Sequence, residues 1–566
     1  MSDLTAPGTV RMATAQGRWV LLTAVLGSGM AMLDSTVVNV ALPRIGTDLH
    51  TSLATLQWTV NAYLLTLAAL LLLGGALGDR YGRRRIFLIG MVWFAASSLL
   101  CGLAPNAAVL LTARALQGVG GALLTPGSLA LIQAVFHPDE RARAVGAWSG
   151  LGGVATAAGP FLGGWLVDGP GWRWVFFLNV PVAAVCVPLA ARHVPETRAP
   201  TTHGRFDVRG AVLGAMALGA VAYALIAAPG RGTAPDVLLA ALGGVLLALA
   251  FLRVERRDPD PMLPPWLFGL RQFTAINAVT VCVYAAFGGF FFLTVLYLQV
   301  GAGFSALVAG TALLPTTVLM LLLSSRSGEL AQRIGPRIPL TLGPLVCATG
   351  MLLMTRVGTD ASYRTEVLPA VTVLGLGMAL LVAPLTATVL ASVDVTHAGL
   401  ASGVNNAAAR ASGLLAVAAL PLLAGMGPET YRSATAFAAG YRRSLFLCAT
   451  LLIAGAALAW FTLRSRTPVL GGTETPRQSE AQGRQQSAAR DEEKAVRAEE
   501  GAAQGRANEF QGRADEVQRR TDEAQKRAGE VQGQHCRPQC AYHCGVSAPP
   551  LDPGTPSSAP PRTSGD

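Results

Sequence analysis

The chain has 566 residues, of which 52% are hydrophobic and only 14% charged, against about a quarter charged in a soluble globular protein. Its formal net charge is +11, yet the basic residues, nearly all Arg, sit mostly in alternate loops between apolar runs. That pattern excludes a soluble enzyme and a nucleic-acid binder; it reads as a protein threaded repeatedly through a lipid bilayer.

Fourteen apolar stretches are each long enough to cross a hydrocarbon core about 30 Å thick. They cover 19–42, 54–77, 85–104, 107–133, 144–167, 173–191, 210–228, 236–253, 273–298, 305–324, 338–355, 367–391, 400–424 and 442–463. The excess of Arg lies on the side that holds the N-terminus. By the positive-inside rule both termini are cytoplasmic, and the even number of spans agrees. No cleavable signal peptide is expected: the first stretch is long, and LDSTVVNVALP, from Leu33 to Pro43, is no cleavage site.

Span one carries Asp34. A carboxylate at membrane depth costs about 3 kcal/mol or more to insert, and it is tolerated where it faces a polar cavity or a partner charge. At 1.5 Å per residue Asp34 lies about 23 Å along a helix entering from the cytoplasm. Arg114, in span four, lies about 10 Å below the opposite surface, a similar depth. The two are expected to face one cavity and to interact directly or through water. A nearby cation favours the charged form of a carboxylate and burial disfavours it, so such a pair can couple protonation to conformation. The alternative is a purely structural ion pair. Trp58, Asn61 and Tyr63 in span two, and Gln117 in span four, are candidates to line the cavity; Trp and Tyr there equally suit a lipid-facing position.

Between spans two and three, Gly75 to Arg85 (GALGDRYGRRR) forms a tight cytoplasmic turn. Gly75, Gly78 and Gly82 permit close helix approach or a positive φ. Asp79 either caps the adjoining helix or binds an Arg across an interface. Arg80, Arg83, Arg84 and Arg85 also fix orientation. Span five holds Gly146, Gly150, Gly152 and Gly153, then Gly159, Pro160, Gly163 and Gly164. Small residues at this spacing let helix backbones approach closely, and Pro160 removes an internal hydrogen bond.

A polar linker from Arg192 to Arg209 closes the first six-span unit, and a second, Pro-rich linker from Arg253 to Gln272 precedes span nine. After span ten, GELAQRIGPR from Gly328 repeats the first loop 253 residues further on. The repeat points to two similar halves around a central site. The expected organisation is a cytoplasmic N-terminus (1–18), a six-helix half (19–191), linkers with two additional helices (192–272), a second six-helix half (273–465) and a polar cytoplasmic tail (466–566). In span thirteen, Asn405, Asn406 and Arg410 form a second polar cluster near mid-membrane. No acid in the later spans stands ready to pair with Arg410; backbone carbonyls or an anionic ligand group would serve.

The tail carries a seven-residue repeat from Gln504, with Ala507, Phe510, Ala514 and Val517 at its fourth and seventh positions. The spacing is that of a coiled coil, opposed by Gly505 and Gly512, so the tail is either transient helix and disorder or a true coil. Cys536, Cys540 and Cys544, with His535 and His543, lack a usual zinc-site pairing, and no metal site is expected. No Walker A sequence, dinucleotide fingerprint or HExxH is present.

Together these segments resemble the major facilitator superfamily, and within it the fourteen-span drug:proton antiporters. The resemblance covers about residues 15–465 and rests on LDSTVVNVALP, on Gly75 to Arg84, on Arg114 to Gly118 (RALQG) and on Gly159 to Gly164 (GPFLGG). Trp172 to Pro181 (WRWVFFLNVP) and Phe206-Asp207 add to it. It implies a major facilitator fold with fourteen spans. It further implies that Asp34 is the membrane acid, that Arg114 takes part in proton transfer, that Asp79 and the loop Arg residues form a conformational latch, and that the Gly159–Gly164 segment belongs to export rather than uptake. The second loop copy has Gln332 where the first has Asp79, which weakens any latch role there.

The sequence is thus expected to encode an inner-membrane secondary transporter and no enzyme. It would export lipophilic or amphiphilic small molecules in exchange for protons, with no cofactor beyond the proton gradient, no nucleic-acid partner and a monomeric transport unit. A proton-coupled importer of the same fold, or a non-transporting scaffold or sensor using the tail, are the alternatives.

Overall fold

The computed structural model describes residues 10–198, 207–258, 261–358, 361–394, 397–427, 430, 433–463, 516, 518–521 and 523. The chain divides into two units, Met1–Pro468 and Val469–Asp566. In the second unit the described residues are helical, and Arg520 reaches Glu516 one turn earlier at 3.3 Å. The rest of the tail repeat and the Cys/His cluster lie outside the described residues.

The first unit is all-α. Among the described residues, fourteen helices are long and apolar enough to span a membrane: α1 (Ala15–Asp48), α2 (Leu53–Tyr81), α3 (Arg83–Gly102), α4 (Ala107–Val135), α5 (Pro138–Asp168), α6 (Arg173–His193), α7 (Val208–Arg231), α8 (Pro235–Glu255), α9 (Arg271–Val300), α10 (Ala306–Ile334), α11 (Arg337–Arg356), α12 (Tyr363–Leu390), α13 (Gly399–Leu423) and α14 (Ala434–Thr462). Each matches one apolar stretch. Most run beyond it by a few residues, because polar residues at the ends still satisfy the terminal backbone groups. Thr14, Ser52, Asn106, Asp207, Ser305 and Ser433 each accept a hydrogen bond from the first turn of the helix that follows. Two spans break internally. α6 is interrupted at Leu178 and α10 at Leu313. Pro181 and Pro315 follow within three residues, and each lacks the N–H that would have bonded back across the break.

The helix pairings of the first six spans recur in the last six. α1 packs on α5 and α6, and α4 on α2 and α3; likewise α9 packs on α13 and α14, and α12 on α10 and α11. The halves meet through two equivalent contacts, α2 with α13 and α5 with α10, and also where α1 meets α9. α7 and α8 pack on each other, and α7 also lies against α2 and α13. The loop repeat has a backbone counterpart: Gly82 (φ 113°) and Gly335 (φ 84°) both hold the left-handed conformation, one at each equivalent turn.

We call the end at which α1 begins proximal and the opposite end distal. At the distal end the halves share one hydrophobic core, in which Val37, Leu42, Leu56 and Trp172 join Phe290, Leu296 and Leu313. At the proximal end the first half keeps its own cluster, built on Val20, Phe87, Met91 and Ile132.

Candidate functional site

Asp34 sits midway along α1 and is completely buried. Three donors converge on its carboxylate. Arg114 Nη1 donates to Oδ2 at 2.7 Å, while Gln117 Nε2 and Asn179 Nδ2 donate to Oδ1 at 2.8 and 3.0 Å. Arg114 also donates to Gln117 Oε1 at 2.7 Å and to the Thr59 carbonyl at 3.1 Å, and its guanidinium lies 4.3 Å from the centre of the Tyr63 ring. Asn179 donates a second bond to Ser98 Oγ, which donates to the Phe176 carbonyl. Four helices, α1, α3, α4 and α6, thus meet around one acid, with α2 supplying Thr59 and Tyr63. Both carboxylate oxygens of Asp34 and the amides of Gln117 and Asn179 have partners, as buried polar groups require.

Asn179 and Ser98 were not singled out from the sequence as partners of Asp34. Asn179 lies in the Trp172–Pro181 segment, just after the break at Leu178. An amide in an apolar span was the available signal; its target depends on where the break turns it.

Beside this network lies a cavity of about 580 Å³ between the halves. Arg114, Tyr63 and Ser35 border it from the first half; Tyr284, Phe291, Met320, Asn405, Asn406 and Arg410 border it from the second. Asp34 is not among its lining residues. The expectation that Asp34 and Arg114 share one cavity is therefore corrected: Arg114 touches Asp34 on one side and the chamber on the other. Three lining expectations also fail. Gln117 is fully buried in the Asp34 network. Trp58 lines a separate cleft with Tyr223 and Arg231. Asn61 is fully buried, and neither polar atom of its side chain has a partner. Trp58 and Asn61 sit on different faces of α2 from Tyr63, whereas Gln117 lies one turn from Arg114 on the same face of α4 and is spent on Asp34 and Arg114.

Asn405 donates to Asn277 Oδ1 and Thr280 Oγ1, tying α13 to α9. Arg410 Nε donates to Asn406 Oδ1 at 3.0 Å, and no carboxylate among the described residues pairs with it.

The chamber is sealed at the distal end. Asp168, at the end of α5, accepts from the Ala306 and Leu307 amides at the start of α10, at 3.3 and 2.9 Å. Gln299 donates to the Val40 carbonyl at 3.0 Å and Gln57 to the Val417 carbonyl at 2.7 Å. One span-five glycine, Gly164, serves this seal, while Gly159 and Gly163 pack α5 on α1 within the first half. A Cβ on Gly159 or Gly163 would run into Thr36 or Val37 of α1, and one on Gly164 into the Leu307 backbone. From the other side, a Cβ on Gly310 would strike the Pro160 carbonyl. Gly146, Gly150 and Gly153, nearer the proximal end of α5, have nothing within 4 Å. A Cβ on Gly152 would meet only the flexible Met32 side chain, at 3.3 Å, so close approach to backbone is confined to the distal part of α5.

At the proximal turn, Asp79 accepts from Arg83 at 2.8 Å, four residues on. Neither sequence expectation for Asp79, a cap or a bond across an interface, describes that contact. The cap of α3 is Glu196, from the segment after α6: its carboxylate accepts from the Arg84 and Arg85 amides at 3.1 and 3.2 Å. Arg84 closes the circuit on the Val194 carbonyl. Arg80 occupies the last turn of α2, where a cation suits the helix dipole. Gly75 and Gly78 stand at ordinary contact distances, but a Cβ on Gly82 would lie 2.6 Å from Glu196 Oε1. Gly82→Ala should therefore cost more than Glu196→Gln, which removes a charge-assisted cap at about 1 kcal/mol. Thermal unfolding of both variants in detergent checks this; an unchanged transition for Gly82→Ala would contradict the turn's proposed intolerance of a side chain.

Comparison with known proteins places these features in context. The sequence profile of the Major Facilitator Superfamily matches residues 24–417. The puromycin resistance protein pur8 of Streptomyces alboniger is 36% identical over 497 residues, covering 84% of this chain and 98% of that protein. The tetracenomycin C resistance and export protein of Streptomyces glaucescens is 38% identical over 405 residues, covering 71% and 75%. The methylenomycin A resistance protein of Bacillus subtilis (strain 168) is 34% identical over 433 residues, covering 75% and 92%. Among solved structures, a POT peptide transporter in complex with sulfate superposes with a TM-score of 0.58 at 15% identity, over 78% of this chain and 94% of that one. A bacterial homologue of the lysosomal transporter Spinster, inward-facing and unoccupied, gives 0.54 at 18%, over 80% and 97%. These two structures share the fold.

Proposed function

This chain belongs to the major facilitator superfamily, and on that premise we propose that it exports lipophilic small molecules across the cell membrane in exchange for protons. It is a multi-pass membrane transporter whose relatives are named for antibiotic resistance and export. Export, proton coupling, cytoplasmic termini and a monomeric transport unit are our reading. With cytoplasmic termini, the described state has its chamber sealed toward the outside.

The observation that carries the reading is the position of the Asp34–Arg114 pair. The pair is buried, Asp34 accepts three hydrogen bonds, and Arg114 alone stands between Asp34 and the chamber, whose wall it lines. While Asp34 is charged it pins Arg114 in the chamber wall and neutralises it. Protonating Asp34 cancels that attraction and frees the guanidinium to move, which changes the chamber wall. A proton and a cargo molecule then compete through Arg114 without touching each other. Alternation between distal-closed and distal-open states follows from rocking the halves about the α2–α13 and α5–α10 contacts. No cofactor enters this cycle; the proton gradient drives it.

Inverted membrane vesicles separate export from import. Acidifying their lumen should drive a lipophilic fluorescent dye inward in vesicles carrying the protein and not in controls. Dye uptake that instead required an acidic bath would favour an importer. Uptake of neither kind, with the tail needed for some other readout, would favour the scaffold reading.

A further inference from the structure

We propose that the chamber selects aromatic anions: an amphiphilic molecule whose acidic group sits on Arg410 and whose rings lie against the neighbouring aromatic side chains. This rests on the chamber being the cargo site and adds the charge class of the cargo. The inference comes from the balance of charge around the cavity. Among the described residues, Arg114 and Arg410 are its two basic lining residues, and no Asp or Glu lines it. Arg114 is neutralised from behind by Asp34 at 2.7 Å. Arg410 has no such partner. Of its five N–H groups, one is used, by Nε to Asn406; the other four have no protein acceptor among the described residues.

An unpaired guanidinium in a largely apolar enclosure is costly unless something anionic or water approaches it. Its planar fork suits a carboxylate or sulfonate with two oxygens in reach. The walls supply the rest of the recognition. Tyr284, Phe287 and Phe291 lie on one turn-to-turn stripe of α9, and Met320 and Met378 face the same space from α10 and α12. Flat rings stack well on such surfaces, and Met adapts to irregular shapes. A cation of the same size would meet a net positive chamber with no carboxylate to receive it.

The test uses two probes of similar shape, 8-anilinonaphthalene-1-sulfonate and the neutral N-phenyl-1-naphthylamine, with ethidium as the cation. Binding to the full chain in phosphatidylcholine nanodiscs is measured without any gradient, so failure here is distinct from failure of proton-coupled export. The wild type should bind the sulfonate about tenfold tighter than the neutral probe. Arg410→Gln should erase that preference, and Arg410→Lys should restore part of it. Equal preference in the wild type and Arg410→Gln, or tighter binding of ethidium than of the sulfonate, overturns the proposal. So does loss of every probe in Arg410→Gln and Arg410→Lys alike while both remain monodisperse, since charge would then not be the cause. Phosphatidylglycerol added to the nanodiscs should leave the sulfonate bound; its displacement would assign Arg410 to a lipid headgroup and overturn the cargo reading.

Discussion

Asp34→Asn should abolish gradient-driven efflux while the protein still reaches the membrane. The carboxylate accepts from Arg114, Gln117 and Asn179 with two oxygens. An Asn side chain offers one oxygen and an NH₂ group, so at least one of the three donors faces another donor. The side chain can no longer take up or release a proton, and Arg114 loses its counter-charge permanently. Removing one partner of a buried pair costs about 3–5 kcal/mol in soluble proteins, so the variant should also unfold at a lower temperature. The double variant Asp34→Asn/Arg114→Gln should recover much of that stability, because no charge is left buried alone, yet it should not recover efflux. A susceptibility panel comparing cells with wild type and Asp34→Asn, together with dye efflux under an imposed pH gradient, provides the readout. Unimpaired coupling in Asp34→Asn would refute the role of this carboxylate. A stability loss with transport intact would leave only the structural ion pair that the sequence also allowed.

Gly310→Val should block transport by a different route. The Pro160 carbonyl of α5 occupies the place where a side chain on Gly310 would begin, and Gly164 meets Leu307 in the same way from the opposite helix. These are backbone contacts, which cannot swing aside as a side-chain tip can. Overpacking typically costs about 1–3 kcal/mol, and here the cost falls only on the state in which α5 and α10 touch. That penalty shifts the balance between the two states by about five- to 150-fold toward the distal-open one. Transport should fall accordingly while the protein remains folded. A Cys introduced at Asn39, which lines the chamber, should become more accessible to a membrane-impermeant maleimide added from the distal side. Unchanged labelling together with normal efflux would show that this seal does not govern the cycle.

The glycines illustrate which parts of the site could be read in advance. Span five announced itself as a small-residue face, but its individual glycines looked alike. Only in the folded chain do Gly159, Gly163 and Gly164 meet a neighbour while Gly146, Gly150 and Gly153 face open space. The turn after α2 behaves in the same way: its glycines are equivalent on paper, and Gly82 alone takes a left-handed backbone against Glu196. Glu196 itself lies more than a hundred residues along the chain from the helix it caps, so no local pattern pointed to it. Asn179 reaches Asp34 only because α6 breaks at Leu178 and sets the second segment's rotation.

Apolar length, loop charge and the 253-residue loop repeat were enough to establish fourteen spans, their alternating directions and the exposed cost of Asp34. Those properties follow from transfer energies along the chain, and transfer energy is a property of sequence. Which side of each span faces the chamber was decided by packing. Lipid tails are as apolar as a protein core, so hydrophobicity alone does not mark a helix's inner face. α8 and α9 are both strongly apolar, yet 11% of the most apolar window is buried in one and 67% in the other. Rotation about the helix axis, which separates Tyr63 from Trp58 and Asn61, was set by tertiary contacts between the two halves and within each.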